Sequence, residues 1–160
     1  MRKQKVYLET TLFNYYCDED RGFAHESTVK LFDDISTGKY EAFTSTYVTD
    51  ELENAQETKR DKMMRLIAKY NIAVLAPSDE AVRVADLYIA EKIIPQKYRA
   101  DALHIAIATV NDLDMIISMN FQHIVKRKTK IGTGNINALN SYRAIEICSP
   151  MEVIEDEYDE

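Results

Sequence analysis

The sequence has no tryptophan and little glycine, proline or cysteine: its 160 residues include four Gly, three Pro and two Cys. So few Gly and Pro leave little room for a long flexible linker, and a chain of this length can bury the core of one domain. Cys17 and Cys148 form no CxxC or CxxH metal pattern, which is typical of ordinary thiols in a reducing compartment. We therefore expect a single domain with two free cysteines.

Long apolar runs are missing as well. No stretch approaches the roughly 20 apolar residues that a membrane-spanning helix needs. The first residues, MRKQKVYLE, run from charge into a short strand and contain no apolar targeting segment. Hydrophobic residues at 46% and charged residues at 29% are typical of a globular chain. The sequence predicts a cytoplasmic protein with no membrane partner.

An excess of positive charge, which nucleic-acid-binding proteins often show, is also lacking, since the net charge is −7. The segment 155–160 holds five of the acids, and in the rest of the chain acids exceed Lys and Arg by only two. Basic residues cluster at 2–5 and 126–130, where they could contact phosphates or simply be solvated. We expect one domain over residues 1–154 and a disordered acidic tail over 155–160.

Short β-branched or aromatic segments alternate with longer helical ones. This alternation predicts an α/β domain of three layers, α/β/α, with helices on both faces of a central, mostly parallel sheet of about five strands. The predicted strands are Lys5–Leu8, Tyr40–Thr44, Ala73–Leu75, Met115–Ser118 and Ala144–Ile147.

Helical periodicity and capping residues predict helices between these strands. The segment Lys126–Asn137 contains Gly132 and Gly134, and we expect it to be an exposed loop that leads to a last short helix. The predicted helices are His25–Ser36, Lys62–Tyr70, a helix opened by Ser78 and followed by Pro95, and Arg99–Val110.

Acidic and amide side chains follow the predicted strands. In open parallel sheets, ligands bind beyond the carboxyl ends of the strands, so these side chains should meet at one edge. They are Glu9 after the first strand, Asp50, Glu51 and Glu53 after the second, Asp101 at the start of the Ala-rich helix, and Asn120 after the fourth strand.

Carboxylates that meet without partners repel one another, so such an edge needs a cation. All the donors are hard oxygens, which favours Mg²⁺ or Mn²⁺ over Zn²⁺. Each acid taken singly has a simpler explanation. Glu9 could pair with a surface lysine, and Glu51 or Asp101 could serve the first turn of a helix. The cation site is inferred from their joint placement after successive strands.

Several stretches resemble the PIN domain family, and nearly the whole chain takes part in the resemblance. The most specific of them is Asp-Ala-Leu-His-Ile-Ala, which begins at Asp101. The others are Val6-Tyr7-Leu8-Glu9-Thr10-Thr11, Ser45 through Leu52, Ser118 through Ile124, and Ile147-Cys148-Ser149-Pro150-Met151-Glu152.

The resemblance implies a nuclease that depends on Mg²⁺ or Mn²⁺ and usually acts on RNA. Many relatives are the toxin of a toxin–antitoxin pair and form homodimers, so the implied partners are RNA, an antitoxin protein and a second copy of the chain. The family's four metal-binding, catalytic positions correspond to Glu9, Glu51, Asp101 and Asn120. His104, one helical turn after Asp101, is expected to pack in the core or to support a ligand from behind.

Two positions depart from the commonest family pattern, which leaves other functions open. Glu9 is longer by one methylene than the usual Asp, about 1.5 Å, and Asn120 lacks a negative charge. The alternative hypothesis is a PIN-like module that binds RNA or protein without catalysis. A response-regulator-like domain is a third hypothesis, but no Lys stands after the fourth strand to serve a phosphorylated pocket.

Overall fold

A parallel sheet of five strands runs through the centre of the molecule in the order β3-β2-β1-β4-β5. The computed structural model describes residues 2–155. The strands are β1 (Gln4–Leu8), β2 (Tyr40–Ser45), β3 (Ala73–Leu75), β4 (Met115–Ile117) and β5 (Glu146–Cys148). The helices are α1 (Thr10–Cys17), α2 (Phe23–Ser36), α3 (Thr46–Glu53), α4 (Glu57–Lys69), α5 (Asp79–Ala90), α6 (Arg99–Val110), α7 (Arg127–Leu139) and α8 (Pro150–Glu155).

The two central strands are buried on both faces. Val6, Tyr7 and Leu8 of β1 have no exposed surface, and all three residues of β4 are buried. Successive side chains of a strand point to opposite faces, so helices must cover the sheet on both sides. The prediction of a three-layer α/β domain with a mostly parallel five-stranded sheet is thereby confirmed.

The strand order reverses at β1. From β1 the chain moves outward to β2 and β3, then crosses back to β4 and β5 on the other side. Between β1 and β4 the connections therefore leave in opposite directions and open a crevice at the carboxyl ends of these strands. Glu9 directly follows β1, and Ser118 directly follows β4, so both stand at this switch point.

The predicted loop at Lys126–Asn137 is wrong, because most of this segment forms helix α7. Its side chains at Thr129, Thr133 and Ile136 are buried, a spacing of one helical face. Gly132 does not interrupt this helix but packs closely against Ile93. A Cβ at this position would lie 2.6 Å from Cγ1 of Ile93. The glycine allows α7 to approach the segment after α5 closely.

Other boundaries differ more mildly from the predictions. Helices α1 and α8 were not predicted, and α4 begins at Glu57, five residues before Lys62. The last strand is Glu146–Cys148, which starts two residues and ends one residue later than predicted. Glu155 is the last residue of α8, and residues 156–160 of the predicted tail 155–160 lie outside the described residues, so the tail stays a prediction. In the described part of the chain, the helices are too short or too polar to span a bilayer.

One carboxylate joins the amino ends of three strands. Asp114, just before β4, accepts hydrogen bonds from Arg2 (2.8 Å), from Arg143 (2.8 Å) and from the backbone N–H of Lys5 (2.7 Å). Burial alone would raise the pKa of Asp114, but the hydrogen bonds and charge of these groups hold it well below its usual range. At this end of the sheet, the negative charge of Asp114 is therefore balanced by two arginines and a backbone N–H.

Candidate active site

Glu9 stands at the switch point and begins helix α1. Its backbone is extended, and its carboxylate accepts the N–H of Thr11, as an N-cap side chain does. The same oxygen, Oε1, also accepts hydrogen bonds from the hydroxyls of Thr11 and Ser118, the latter at 2.6 Å. With 3% of its surface exposed, Glu9 is a rigidly held charge, and Ser118 ties it to the end of β4.

Glu51 reaches the same crevice from helix α3. Its Oε1 accepts a hydrogen bond from Nε2 of His104 at 2.7 Å and another from the Thr10 hydroxyl at 2.9 Å. Burial alone would raise the pKa of Glu51, but the hydrogen bond and charge of His104, with help from Thr10, lower it. Glu51 is therefore ionised at neutral pH, and its side chain remains 42% exposed.

His104 is fully buried on α6 with a polar group on each ring nitrogen. Nε2 contacts Glu51, and Nδ1 lies 2.7 Å from the Tyr7 hydroxyl, which in turn lies 2.7 Å from the Ser45 hydroxyl. Burial alone would lower the pKa of His104, but the Glu51 hydrogen bond and the charges of Glu9, Glu51 and Asp101 raise it. The prediction that His104 packs or supports a ligand agrees with this placement.

Asp101 lies in the first turn of α6 and faces the same group of acids. Its pKa is raised to about 6, first by burial and then by the charge of Glu9, with a smaller rise from Glu51. His104 and a hydrogen bond from Asn120 oppose this rise. Among the described residues, no Lys or Arg forms an ion pair with Glu9, Glu51 or Asp101. The crevice therefore carries negative charge that lacks an equal positive partner.

Asn120 supports Asp101 from the loop after β4. Its Oδ1 accepts the backbone N–H of His123 at 3.0 Å, and an N–H can only donate, so this oxygen is assigned by chemistry. The amide nitrogen is then the atom that donates to Asp101. In this arrangement Asn120 orients a carboxylate and does not present an oxygen to the crevice.

The structure thus brings Glu9, Glu51 and Asp101 together and places Asn120 beside Asp101. Asp50 and Glu53, the other acids that follow β2, are exposed on α3 and form no hydrogen bond with these three. In residues 2–155, no three His, Cys, Asp or Glu side chains are arranged to hold one metal ion together. The roles of the four predicted site residues remain predictions.

An ion that keeps much of its hydration shell fits this donor set. Mg²⁺ is usually bound by one or two carboxylates and retains several waters, so it does not need a closed group of three ligands. The charged donors are carboxylate oxygens, and the excess negative charge around Asp101 favours a cation. Asp101 and Glu51 are the residues that could hold such an ion, in part through water.

Sequence reasoning missed the hydroxyl groups that hold these acids, directly or, for Ser45, through Tyr7 and His104. Thr10, Thr11, Ser45 and Ser118 each sit within three residues of a strand end, in the stretches that resemble the PIN family. Their position beside the predicted acids was a usable signal. Tyr7 was harder to find, because it lies within an apolar strand, Val-Tyr-Leu, where an aromatic residue is expected in the core.

The fold and the crevice define an α/β domain with an acidic cleft at the switch point of a parallel sheet. Its structure is similar to a chain in the crystal structure of VapBC2 from Rickettsia felis bound to a DNA fragment from their promoter. The TM-score is 0.58 at 10% sequence identity, and the match covers 91% of this chain and 98% of the other. No protein-family model and no curated protein matches the sequence. At this identity the likeness shows the fold alone.

Proposed function

We propose that the protein is a ribonuclease of the PIN type that depends on Mg²⁺ or Mn²⁺ and acts as the toxin of a toxin–antitoxin pair. The observation that carries the proposal is the concentration of Glu9, Glu51 and Asp101 at one crevice, where none of the described Lys or Arg residues pairs with them. Burial, and after it the charge of Glu9, raises the pKa of Asp101 there to about 6. The fold adds support, since VapBC2 is a toxin–antitoxin complex whose VapC subunit is a PIN domain.

Each residue has a distinct part in this proposal. Asp101 and Glu51 hold the cation, directly or through water, and Glu9 adds a fixed negative charge held by Thr11 and Ser118. Asn120 keeps the Asp101 carboxylate oriented through its amide. When bound, a divalent ion polarises a phosphate oxygen and lowers the pKa of a coordinated water, which is the chemistry that phosphodiester hydrolysis needs.

Cleavage of a broad RNA panel by the purified full chain tests the proposal. We expect cleavage with Mg²⁺ or Mn²⁺ and none with EDTA. The Asp101→Asn variant should lose at least about 100-fold in rate, as expected when a metal ligand that stabilises developing charge is neutralised. Asp50→Asn is the matched control, since it makes the same chemical change on an exposed acid near Glu51. Equal cleavage by the wild type and Asp101→Asn would indicate a contaminating nuclease and refute the site.

A second function, an RNA- or protein-binding module without catalysis, is favoured by one observation. Glu9 Oε1 already accepts three hydrogen bonds, and the Asn120 oxygen is bound to His123, so both of these atoms are engaged within the protein. Calorimetric titration with Mn²⁺ discriminates between the functions. A saturable site that Asp101→Asn abolishes supports the nuclease, whereas RNA binding in EDTA with no Mn²⁺ site supports the module.

The proposed partners are an antitoxin protein and a second copy of the chain, besides RNA. The product of a neighbouring short reading frame with a DNA-binding head is the candidate antitoxin. Co-expression followed by affinity purification tests this complex, and light scattering after size-exclusion chromatography tests the homodimer. A monomer that does not retain the neighbouring product would overturn both partner proposals.

A further inference from the structure

A chain of polar side chains runs through the core behind Glu51. It begins at Ser45 at the end of β2, passes through Tyr7 of β1 and ends with His104 of α6, and none of these three has exposed surface. Each of its links measures 2.7 Å: Ser45 Oγ to Tyr7 Oη, Tyr7 Oη to His104 Nδ1, and His104 Nε2 to Glu51 Oε1. Three separate elements thus converge on one oxygen of the crevice.

The hydrogens in this chain point towards Glu51. Ser45 Oγ accepts the backbone N–H of Val48 as the N-cap of α3 and so has its own hydrogen free for Tyr7. The ionised Glu51 carboxylate can only accept, so Nε2 of His104 carries a hydrogen, and on a neutral ring Nδ1 then accepts the hydrogen of the Tyr7 hydroxyl, whose pKa burial raises. The ring hydrogen is then on Nε2, where it faces Glu51. A second proton on the ring would leave Nε2–H in the same place, so Glu51 meets a donor in either state.

We propose that Tyr7 and His104 are positioning residues, which act through Glu51 to hold its carboxylate in one orientation for the divalent cation. The inference rests on the proposed function. A half-exposed glutamate has several rotamers, and fixing it on binding an ion costs conformational entropy. Here the carboxylate is already held by His104 on one side and by Thr10 on the other. Groups behind a metal ligand typically matter for metal affinity in this way.

Two substitutions interrupt the chain, and each has a matched partner. Tyr7→Phe removes only the hydroxyl, and its control is Tyr88→Phe, because Tyr88 is also fully buried and hydrogen-bonded, to Thr109 and Asn137, away from the crevice. His104→Leu removes the donor to Glu51. His104→Gln is its conservative counterpart, since a side-chain amide can place an N–H near the position of Nε2.

The first readout is the affinity for Mn²⁺ alone, measured by paramagnetic resonance of the free ion with the full-length protein. We expect Tyr7→Phe and His104→Leu to weaken Mn²⁺ binding by about 10- to 100-fold, the range found when groups behind a metal ligand are removed. His104→Gln should recover most of the loss, and Tyr88→Phe should bind as the wild type does. Because both Phe variants lose one buried hydroxyl, a general loss of stability would affect them alike.

The second readout does not need a metal. In ¹⁵N-edited NMR spectra, the His104 Nε2–H should give a slowly exchanging signal that is lost or shifted in Tyr7→Phe and unchanged in Tyr88→Phe. If the wild type has no Mn²⁺ site that Asp101→Asn removes, the proposed function fails. The Nε2–H signal then still tests whether the hydrogen bonds from Tyr7 through His104 to Glu51 exist. Normal Mn²⁺ affinity in Tyr7→Phe and His104→Leu, equal weakening by Tyr88→Phe, or an Nε2–H signal indifferent to Tyr7→Phe would overturn the positioning role.

Discussion

The two ends of the central sheet surround their carboxylates with opposite environments. At the amino end, Asp114 is 7% exposed and is paired with two arginines and a backbone N–H. At the carboxyl end, Glu9, Glu51 and Asp101 share a crevice in which the nearest compensating group is a buried histidine. The pKa of Asp114 is held well below its usual range, whereas that of Asp101 is raised to about 6.

The difference predicts different roles for the two ends of one sheet. An acid that is paired in the folded state stabilises that state, because the unfolded chain cannot offer the same partners. An acid placed among other acids destabilises it, and such strain typically marks a site with a ligand of opposite charge. The following experiments test this division, from the largest expected effect to the smallest.

Neutralising the paired acid should cost the most stability. We expect Asp114→Asn to lower the free energy of unfolding by about 2 to 3 kcal/mol, because charged hydrogen bonds to both arginines are lost. The control is Asp86→Asn, whose partner Arg99 makes an exposed ion pair and which should cost under about 1 kcal/mol. Urea denaturation measures both free energies. Equal losses would show that the hydrogen bonds of Asp114 contribute no more stability than an exposed ion pair does.

Neutralising Asp101, which lies among other acids, should change the free energy of unfolding in the opposite direction. We expect Asp101→Asn to raise the free energy of unfolding at pH 7.5 by about 2 kcal/mol, since it removes a charge that is costly in the folded state. The same urea denaturation without divalent ions measures the change. A variant less stable than the wild type would show that the crevice compensates Asp101 in another way.

The two acids should also respond oppositely to pH. Asp101 binds a proton more tightly in the folded than in the unfolded chain, so its effect stabilises the protein as the pH falls from about 6 to 4. Asp114 has a lowered pKa, so its stabilisation is lost only as the pH falls below about 4. Urea midpoints between pH 3 and 7.5 for the wild type and Asp101→Asn report the difference. The contribution of His104 to the pH dependence cancels between the wild type and Asp101→Asn if its ring titrates alike in both, which NMR of the ring checks.

A divalent cation should offset the destabilising effect of the acids at the carboxyl end of the sheet. Mg²⁺ at about ten times its dissociation constant is expected to stabilise the wild type by roughly 1.4 kcal/mol at pH 7.5, as mass action requires for a ligand of the folded state. Thermal unfolding with MgCl₂, against NaCl of equal ionic strength, measures this shift. Asp101→Asn should show no shift, and a similar shift in that variant would mean that Mg²⁺ binds elsewhere.

The sheet and the acids could be predicted because their signals are local. Helix α6 has the predicted bounds, Arg99–Val110, and β3 likewise matches its prediction, since apolar periodicity and flanking residues define both. Glu9 and Asp101 were predicted to lie near each other by the rule that the strand ends of a parallel sheet converge.

The remainder depended on contacts between distant parts of the chain. Gly132 suggested a loop, but its reason is the approach of Ile93, which no local pattern reveals. The partners of Tyr7 lie 38 and 97 residues away, at Ser45 and His104, so an apolar strand context hid its polar role. The orientation of Asn120 depended on the backbone of His123 and could not be read from its residue type.

The pairing of β1 with β4 sets when the crevice can exist during synthesis. Glu9 is made early, but Ser118, which ties it to β4, and Asp101 on α6 leave the ribosome only after most of the chain has been translated. A truncated nascent chain therefore lacks the complete acidic cleft, whatever helices it has already formed.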